Sequence, residues 1–388
     1  MKKILIVSPF FFPELISTGK YNTDLAIQIS KQGLDVEVLC SHPLYPDWKP
    51  HHSSQMLEGV NIKRGGSWLR YPKNPMLRRV VLEFWFFLFT FINIRKLRSS
   101  DAIVVVLPPS CFVLATFLVS SSVKIIGIVH DLQAVHLNVK GNKLKKLLLG
   151  FIKAVERAAF RKCDRLIYLS EEMKNEATIV YELEETKSEI VYPFVTIDDF
   201  TCKGRLAEYF DSKDFNVVYS GALGEKQNPQ GIYEIANQLV KLNPNVKFTF
   251  FSRGPDYEKL KKQNSSELIN FYDLVAPESL GELLTRSDIQ IVPQAIGTSK
   301  GSLPSKVPNI LSSGSMIFAI TDEKSELQAL LSKQKGCFIS NTWDVQHNAE
   351  LLSSLAEKSV IKFDRNDNLD LYRKDSLAKL IDNMIKEN

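Results

Sequence analysis

Six stretches of the 388-residue sequence carry cationic or ionisable side chains at places that suit chemistry on a bound ligand, and four of them add glycine. In Ser8–Tyr21, Gly19 and Lys20 open a helical segment, where backbone N–H groups and an ammonium can converge on an anion; Gly19 reads equally as a turn residue. In Ile128–His136, His130 and Asp131 close an apolar run. They read either as substrate hydrogen-bonders or as a histidine satisfied by neighbouring backbone, and the spacing to His136 gives no reason to expect a metal site. In Tyr219–Asn228, Gly221 and Gly224 precede Lys226, a point charge for a phosphate or a solvated surface lysine. Ser252–Pro255 offers Arg253 as a planar donor beside Gly254, where backbone can approach closely. The strongest phosphate candidate is Gly297–Gly314, in which Lys300, Ser305 and Lys306 lead into a short helix. A helix N-terminus carries about half a positive charge. The sixth, Thr321–Glu326, also opens a helix.

What is missing is informative. No GxGxxG follows a strand, so the dinucleotide fingerprint is absent, and GxxxxGK[ST] is absent too. No D-x-D occurs, so a metal held by such a pair is not expected.

These loops need a scaffold that presents them together. The first half alternates strand-like runs with helix-like ones: strands at Lys3–Val7, Val36–Cys40, Ala102–Leu107, Lys124–His130, Arg165–Leu169 and Glu189–Tyr192, helices at Tyr21–Lys31, Phe112–Val119, Lys143–Phe160 and Glu171–Val180. The second half repeats this, with strands at Val217–Tyr219, Lys247–Phe251, Ile289–Val292 and Met316–Ile320 and helices at Ile232–Leu242, Leu280–Arg286, Val307–Ser313 and Ser325–Leu331. Continuous apolar strands alternating with helices imply parallel sheets covered on both faces. The expectation is an α/β protein with two doubly wound domains, residues 1–192 and 193–370, and a separate terminal helix over 371–388. Ligands of such sheets bind at the carboxyl ends of strands, where the six loops lie.

Composition agrees with an ordinary globular chain: 44% hydrophobic, 24% charged, and long enough for two domains. A net charge of +5 is too modest for a dedicated nucleic-acid binder, so no nucleic-acid partner is expected. Five scattered cysteines without CxxC fit neither a disulfide framework nor a zinc site and suit a reducing cytoplasm. The opening MKKILIVSP reads as a strand cut short by Pro9, not a signal peptide. No stretch reaches the roughly 20 apolar residues of a membrane span. The nearest is Val80–Ile94, interrupted by Glu83 and Asn93 and flanked by Arg78, Arg79, Arg95, Lys96 and Arg98.

Taken in combination, PELISTGKY, HPLYPDW (His42 to Trp48), YPFVTIDDF, YSGALGEKQN and LPSKVPNILSSG resemble the motifs of glycosyltransferase family 4, the group-1 transferases. The branch most similar builds bacterial surface polysaccharides such as colanic acid, O-antigen and capsule, and the resemblance runs over nearly the whole chain. It implies the GT-B fold, two Rossmann-like domains facing across a cleft with the terminal helix crossing back to the N-terminal domain. It implies a retaining hexosyl- or deoxyhexosyltransferase with a UDP- or GDP-sugar donor held mainly by the C-terminal domain and a lipid-linked saccharide acceptor on the N-terminal one.

Residue by residue, the resemblance makes Lys226 the phosphate lysine, and His130 and Asp131 the polar pair that orients the transferred sugar. Gly19, Lys20, Gly221, Arg253, Gly254, Ser305, Lys306, Asn309 and Glu326 complete the expected donor set. Position 222 is Ala, where some members carry a basic partner. Many members also carry two glutamates; the matching positions are Ser302 and Asn309. Asn309 can still bond a ribose hydroxyl, but as a neutral group it is the weaker acceptor. No cofactor is implied, and the reaction would be metal-independent, with lysines and helix-end amides carrying the leaving-group charge.

Two basic, hydrophobic stretches bear on the acceptor: Val80–Ile94, and Lys143–Arg161 with its row of lysines and arginines. They read either as interfacial elements touching anionic lipid or as a core helix and a solvated basic face. The first reading places the enzyme in the cytoplasm, peripherally on the inner face of the membrane. Two rival functions share the fold: a catalytically silent subunit partnering another transferase, and a sugar-nucleotide epimerase, which the neutral residues at 302 and 309 disfavour.

Overall fold

The computed structural model of the chain describes residues 2–14, 17–44, 47–132, 143–183, 188–211, 213–299, 303–357 and 372–386. They form two compact units, Met1–Thr196 with Arg373–Asn388, and Ile197–Tyr372.

The strands of the first unit are β1 (Lys3–Val7), β2 (Asp35–Ser41), β3 (Val60–Gly65), β4 (Ala102–Leu107), β5 (Lys124–Val129), β6 (Arg165–Tyr168) and β7 (Ser188–Ile190). They pair in parallel in the order β3-β2-β1-β4-β5-β6-β7. Its helices are α1 (Ser17–Lys31), α2 (Pro75–Ile92), α3 (Ile94–Arg98), α4 (Lys143–Lys162) and α5 (Glu171–Tyr181). Alternation along each central strand feeds two cores. Leu5 and Val7 point to one side with Ile103 and Val105. Ile4 and Ile6 point to the other with Ala102 and Val104. This period of two is why both faces must be covered by helices.

The second unit contains β8 (Phe215–Ser220), β9 (Val246–Phe251), β10 (Ile269–Tyr272), β11 (Ile289–Pro293), β12 (Met316–Ile320) and β13 (Cys337–Ser340). They form a parallel sheet in the order β10-β9-β8-β11-β12-β13. Around it lie α6 (Pro229–Leu242), α7 (Pro255–Gln263), α8 (Leu280–Arg286), α9 (Val307–Ser313), α10 (Glu326–Leu331) and α11 (Val345–Glu357). The last helix, α12 (Lys374–Lys386), packs on the first unit. It buries Leu377, Ile381, Met384 and Ile385 in the core beside α1, each worth about 1.5–3 kcal/mol on full burial. Lys2 and Lys124 donate to the carbonyls of Ile385 and Met384, both at 2.9 Å, placing cations where a helix C-terminus favours them.

The doubly wound α/β class read from the sequence is the one observed. The units part between Thr196 and Ile197, a few residues beyond position 193, because Phe194 still belongs to the first core. Strands β3, β10 and β13, all edge strands, lack the continuous apolar run of central strands and were not expected. The run around Phe112–Val119 is not an α-helix but 3₁₀ turns over Cys111–Leu118. There the Glu83 carboxylate takes the amides of Ser110 (3.0 Å) and Cys111 (2.9 Å), and the Thr116 hydroxyl donates to the Val113 carbonyl at 2.6 Å. The backbone itself bonds three residues back, Val113 N–H to the Ser110 carbonyl at 3.2 Å and Val119 N–H to the Thr116 carbonyl at 3.0 Å, which is the tighter helix.

Candidate functional site

In the second unit the chain winds outward from β8 through β9 to β10, then returns to build β11, β12 and β13 on the other side of β8. Neighbouring strands β8 and β11 therefore send their following loops in opposite directions, leaving a crevice at their carboxyl ends. Gly221, directly after β8, has φ +126°, a backbone conformation that side-chain-bearing residues rarely adopt. Its N–H donates to the Phe251 carbonyl at 3.0 Å and its carbonyl accepts from the Ser252 hydroxyl at 2.7 Å. The loop after β8 is thus tied to the loop after β9. Gly254, two residues on from Ser252, precedes α7 with φ +109°, and Arg253 beside it is exposed.

Lys226 lies in a 3₁₀ turn over Glu225–Gln227, with an exposed side chain. Its carbonyl accepts from the Ala295 amide at 2.8 Å and the Thr298 hydroxyl at 3.4 Å. The backbone therefore joins the loops after β8 and β11 and leaves the ammonium to solvent. Asp322, after β12, locks the same region. Its carboxylate accepts from the Gly297 amide at 2.9 Å and from the Ser299 hydroxyl at 2.7 Å. Burial opposes its ionisation, but these hydrogen bonds outweigh it and hold the carboxyl below its usual range. The Thr321 hydroxyl donates to the Gln294 side chain at 2.7 Å, and Ser325 caps α10 by accepting from Gln328. Glu326 is the half-buried first residue of that helix.

Lys306 reaches back under these loops. Its ammonium donates to the carbonyls of Ser220 (3.3 Å), the last residue of β8, and Ile291 (3.0 Å), in the middle of β11, and lies 4.4 Å from the centre of the Tyr219 ring. Burial pushes its pKa down to about 7. Lys306, not Ser305, occupies the cap position of α9, with no side-chain cap bond; Ser305 sits one residue earlier, half-buried. Asn309, in α9, is buried, and its Oδ1 accepts from the Ile197 amide at 3.2 Å, which anchors the start of the unit. Lys300 and Ser302 lie outside the described residues.

The first unit holds the other expected residues. Its own switch lies between β1 and β4. His130 and Asp131 follow β5. The His130 amide donates to the Leu107 carbonyl at 2.8 Å, and Asp131 accepts from the Leu132 amide at 3.0 Å. Burial drives the His130 imidazole down to about 4, only partly offset by Asp131, so the ring is neutral at physiological pH. It lines a small crevice with Tyr21, Asn22 and Phe194. Tyr21 donates its phenolic proton to the Phe194 carbonyl at 3.0 Å, and Asn22 donates to the Ser8 hydroxyl at 2.9 Å. Gly19 lies in the first turn of α1, where a Cβ would come within 2.8 Å of the Glu14 side chain. Close packing on Glu14 thus requires a glycine there. Lys20, next to it, is half-buried.

The structure therefore brings Gly221, Lys226, Arg253, Gly254, Ser305, Lys306, Asn309 and Glu326 into one unit, and Gly19, Lys20, His130 and Asp131 into the other. Sequence reading missed Asp322 as the organiser of the loop after β11, although it lies inside the flagged Thr321–Glu326 stretch. Among the described residues no cluster of three or more His, Cys, Asp or Glu side chains is placed to hold a metal ion, and no helix is long and apolar enough to cross a membrane.

Comparison with known proteins adds to this geometry. Residues 18–199 match the model of Glycosyltransferase Family 4. The chain is similar to the putative colanic acid biosynthesis glycosyl transferase WcaI of Escherichia coli, 26% identical over 357 residues, covering 84% of this chain and 85% of that protein. Its fold is similar to that of sucrose-phosphate synthase from Thermosynechococcus elongatus, with a TM-score of 0.74 at 12% identity over 100% of this chain and 99% of the other. It is also similar to that of WaaG, a glycosyltransferase involved in lipopolysaccharide biosynthesis, with a TM-score of 0.73 at 12% identity over 99% and 100%. These matches give the two-domain GT-B fold.

Proposed function

We propose, from the premise that this chain is a glycosyltransferase carrying a Family 4 domain, that it is a retaining enzyme. It transfers a sugar from a UDP- or GDP-sugar to a lipid-linked saccharide during assembly of a bacterial surface polysaccharide. The observation that carries the donor half is the placement of Gly221, Lys226 and Lys306 at the carboxyl ends of β8 and β11. A diphosphate needs backbone approach and cationic charge at one point, and this seam offers both.

In this reading the bond between the anomeric carbon and the diphosphate oxygen breaks, and the acceptor hydroxyl oxygen bonds that carbon on the same face. The hydroxyl proton passes to the departing diphosphate, so no side-chain nucleophile is needed. Lys226 and Lys306 stabilise the charge that grows on the leaving group; cations already in place for that charge lower the barrier without reorganising during the step. No metal is required. His130, neutral at physiological pH, and the Asp131 side chain hydrogen-bond the transferred sugar.

The 26% identity to the E. coli colanic acid biosynthesis protein supports a polysaccharide product. A lipid-linked acceptor places the enzyme in the cytoplasm at the inner face of the membrane, with α2 and α4 as contact elements. The test is a transfer assay with UDP- and GDP-sugars on lipid-diphosphate acceptors. Turnover with one base, retained in the presence of a chelator and abolished in Lys226→Ala, supports the reading. Equal turnover in that variant overturns the donor assignment.

A further inference from the structure

The stretch from His42 to Trp48, after β2, has no part in the transfer step. Tyr45 and Pro46 lie outside the described residues. The rest stands where the loops after β1, β2 and β3 are tied together. Arg64, in β3, donates to the Phe12 carbonyl at 2.8 Å, the Leu44 amide to the Glu14 carboxylate at 2.7 Å, and the His42 amide to the Gly65 carbonyl at 3.1 Å. Trp48 has φ +55°. That conformation is an outlier for a bulky side chain and persists only where its surroundings impose it. Here they do. Phe10 and Tyr71 meet the Trp48 ring edge to face, at 6.2 and 5.7 Å between ring centres, and the Arg78 guanidinium lies 4.1 Å from its centre.

Trp68, in the same loop as Tyr71, sits in a turn closed by the Leu69 amide on the Gly66 carbonyl at 3.1 Å. Its ring is 71% exposed, yet it is held at 78° to the Trp85 ring, 5.4 Å away. The turn lies directly on Trp85, since a Cβ at Gly66 would come within 2.7 Å of the indole nitrogen. An exposed tryptophan fixed in orientation is a ready stacking surface. The Tyr71 hydroxyl is buried with no hydrogen-bond partner among the described residues. Native structures rarely leave such a group unanswered. From Gly65 to Arg79 the sequence holds Arg70, Lys73 and Arg78 and no acidic residue, so donors edge the aromatic faces.

We propose that the loops after β2 and β3 form a second saccharide subsite, distinct from His130 and Asp131, which binds sugars of the acceptor away from the reacting one. Pyranose rings stack on Trp68 and Trp48, and Arg70 and Arg78 donate to their hydroxyls. A pyranose has C–H groups on its flat face and hydroxyls around its rim, which matches aromatic faces bordered by planar donors. A net charge of +5 supplies no long basic track for a nucleic acid, the other ligand that stacks on such rings. The strand order gives the spacing. His130 follows β5, three strands from β2 and four from β3, so roughly 14–20 Å separate the two places. One sugar at His130 cannot span that gap, whereas a chain of several can. The subsite rests on the proposed function for its saccharide acceptor and deepens it: the acceptor is an oligosaccharide, not a single lipid-linked sugar.

The experiment titrates the full chain, by tryptophan fluorescence, with trisaccharides of glucose, galactose, mannose and N-acetylglucosamine and with the four free sugars. Trp68→Ala and the conservative Trp68→Phe accompany the wild type. The expected result is saturable binding of at least one trisaccharide and of no free sugar at the same concentration. Binding should weaken about tenfold in Trp68→Ala and recover in part in Trp68→Phe, with melting temperature and nucleotide binding unchanged. In transfer assays Trp68→Ala should raise KM for a three-sugar acceptor at unchanged kcat and leave a one-sugar acceptor unaffected. Wild type that binds no trisaccharide, or Trp68→Ala that binds like wild type, overturns the inference. So does fluorescence quenching by a thymidine oligonucleotide that is lost in Trp68→Ala, or a dimer in solution that this variant dissolves. Trisaccharide binding through Trp68 by a wild type that transfers sugar to no acceptor removes the proposed function and leaves the saccharide subsite standing.

Discussion

The Lys306 ammonium lies 3.3 Å from the Ser220 carbonyl, so a cation from the helix after β11 caps the strand end beneath the Gly221 turn. Its other hydrogen bond is to the Ile291 carbonyl, and burial lowers its pKa to about 7. A bound diphosphate favours the charged form. Donor binding below pH 7 therefore takes up no proton, and binding above pH 7 must take one up. Affinity should fall above pH 7 by up to about tenfold per pH unit. Calorimetric titration of the nucleotide diphosphate at pH 6 and pH 8.5 checks this, and Lys306→Met should bind weakly with a flat profile.

The same lysine should carry a stability cost. Its folded pKa lies below its unfolded value of 10.5, so between about 7 and 10.5 the unfolded chain binds more protons. Stability supplied by this group rises with pH across that window, and below pH 7 its penalty is complete. Lys306→Met should melt above wild type at pH 6, and the difference should shrink at pH 9.5. Thermal denaturation at the two pH values reads both signs.

Asp322 holds the loop after β11 by accepting from Gly297 and Ser299. Asp322→Ala leaves those donors without their carboxylate and should destabilise the second unit by about 1–3 kcal/mol. Donor affinity should drop as well, because the Lys226 carbonyl is bonded to Ala295 in the same loop. Asp322→Asn keeps one acceptor oxygen and should lose less. Denaturant melts and nucleotide titrations of the two variants rank them.

His130 should show in the acid limb of stability. Its folded pKa of about 4 lies below the ordinary 6.5, so between these values the unfolded chain binds the extra proton. Its contribution is present above pH 6.5 and is lost as pH falls towards 4. His130→Asn should show a flatter decline over that range than wild type. A matching decline in the two proteins contradicts a neutral, buried His130.

Much of this was legible in the sequence because central parallel strands are apolar on both faces. Ala102–Leu107, Met316–Ile320 and Val307–Ser313 have the limits read from pattern alone. The edge strands β3, β10 and β13 escaped because half-exposed residues blur the pattern. Helix α7 escaped because it is short and mostly charged. The glycine–lysine loops were visible because their chemistry is carried by residue type. What Lys306 bonds was not, since its partners are main-chain carbonyls from strands more than ten residues away. Gly19 stood out for anion approach or as a turn residue; that Glu14 packs against it is a contact the sequence does not display.

A donor site at the carboxyl ends of β8 and β11 is tested most directly by a thermal-shift panel of UDP, GDP and their sugars on wild-type protein and Lys226→Ala. Lys226 is exposed on a 3₁₀ turn, so the variant should fold like wild type. A ligand that binds only the folded state stabilises it by about 2.7 kcal/mol at a hundred times its dissociation constant. The predicted result is a shift with one nucleotide family in wild type, lost or strongly reduced in Lys226→Ala. No shift with any nucleotide, or an equal shift in both proteins, contradicts a donor site there.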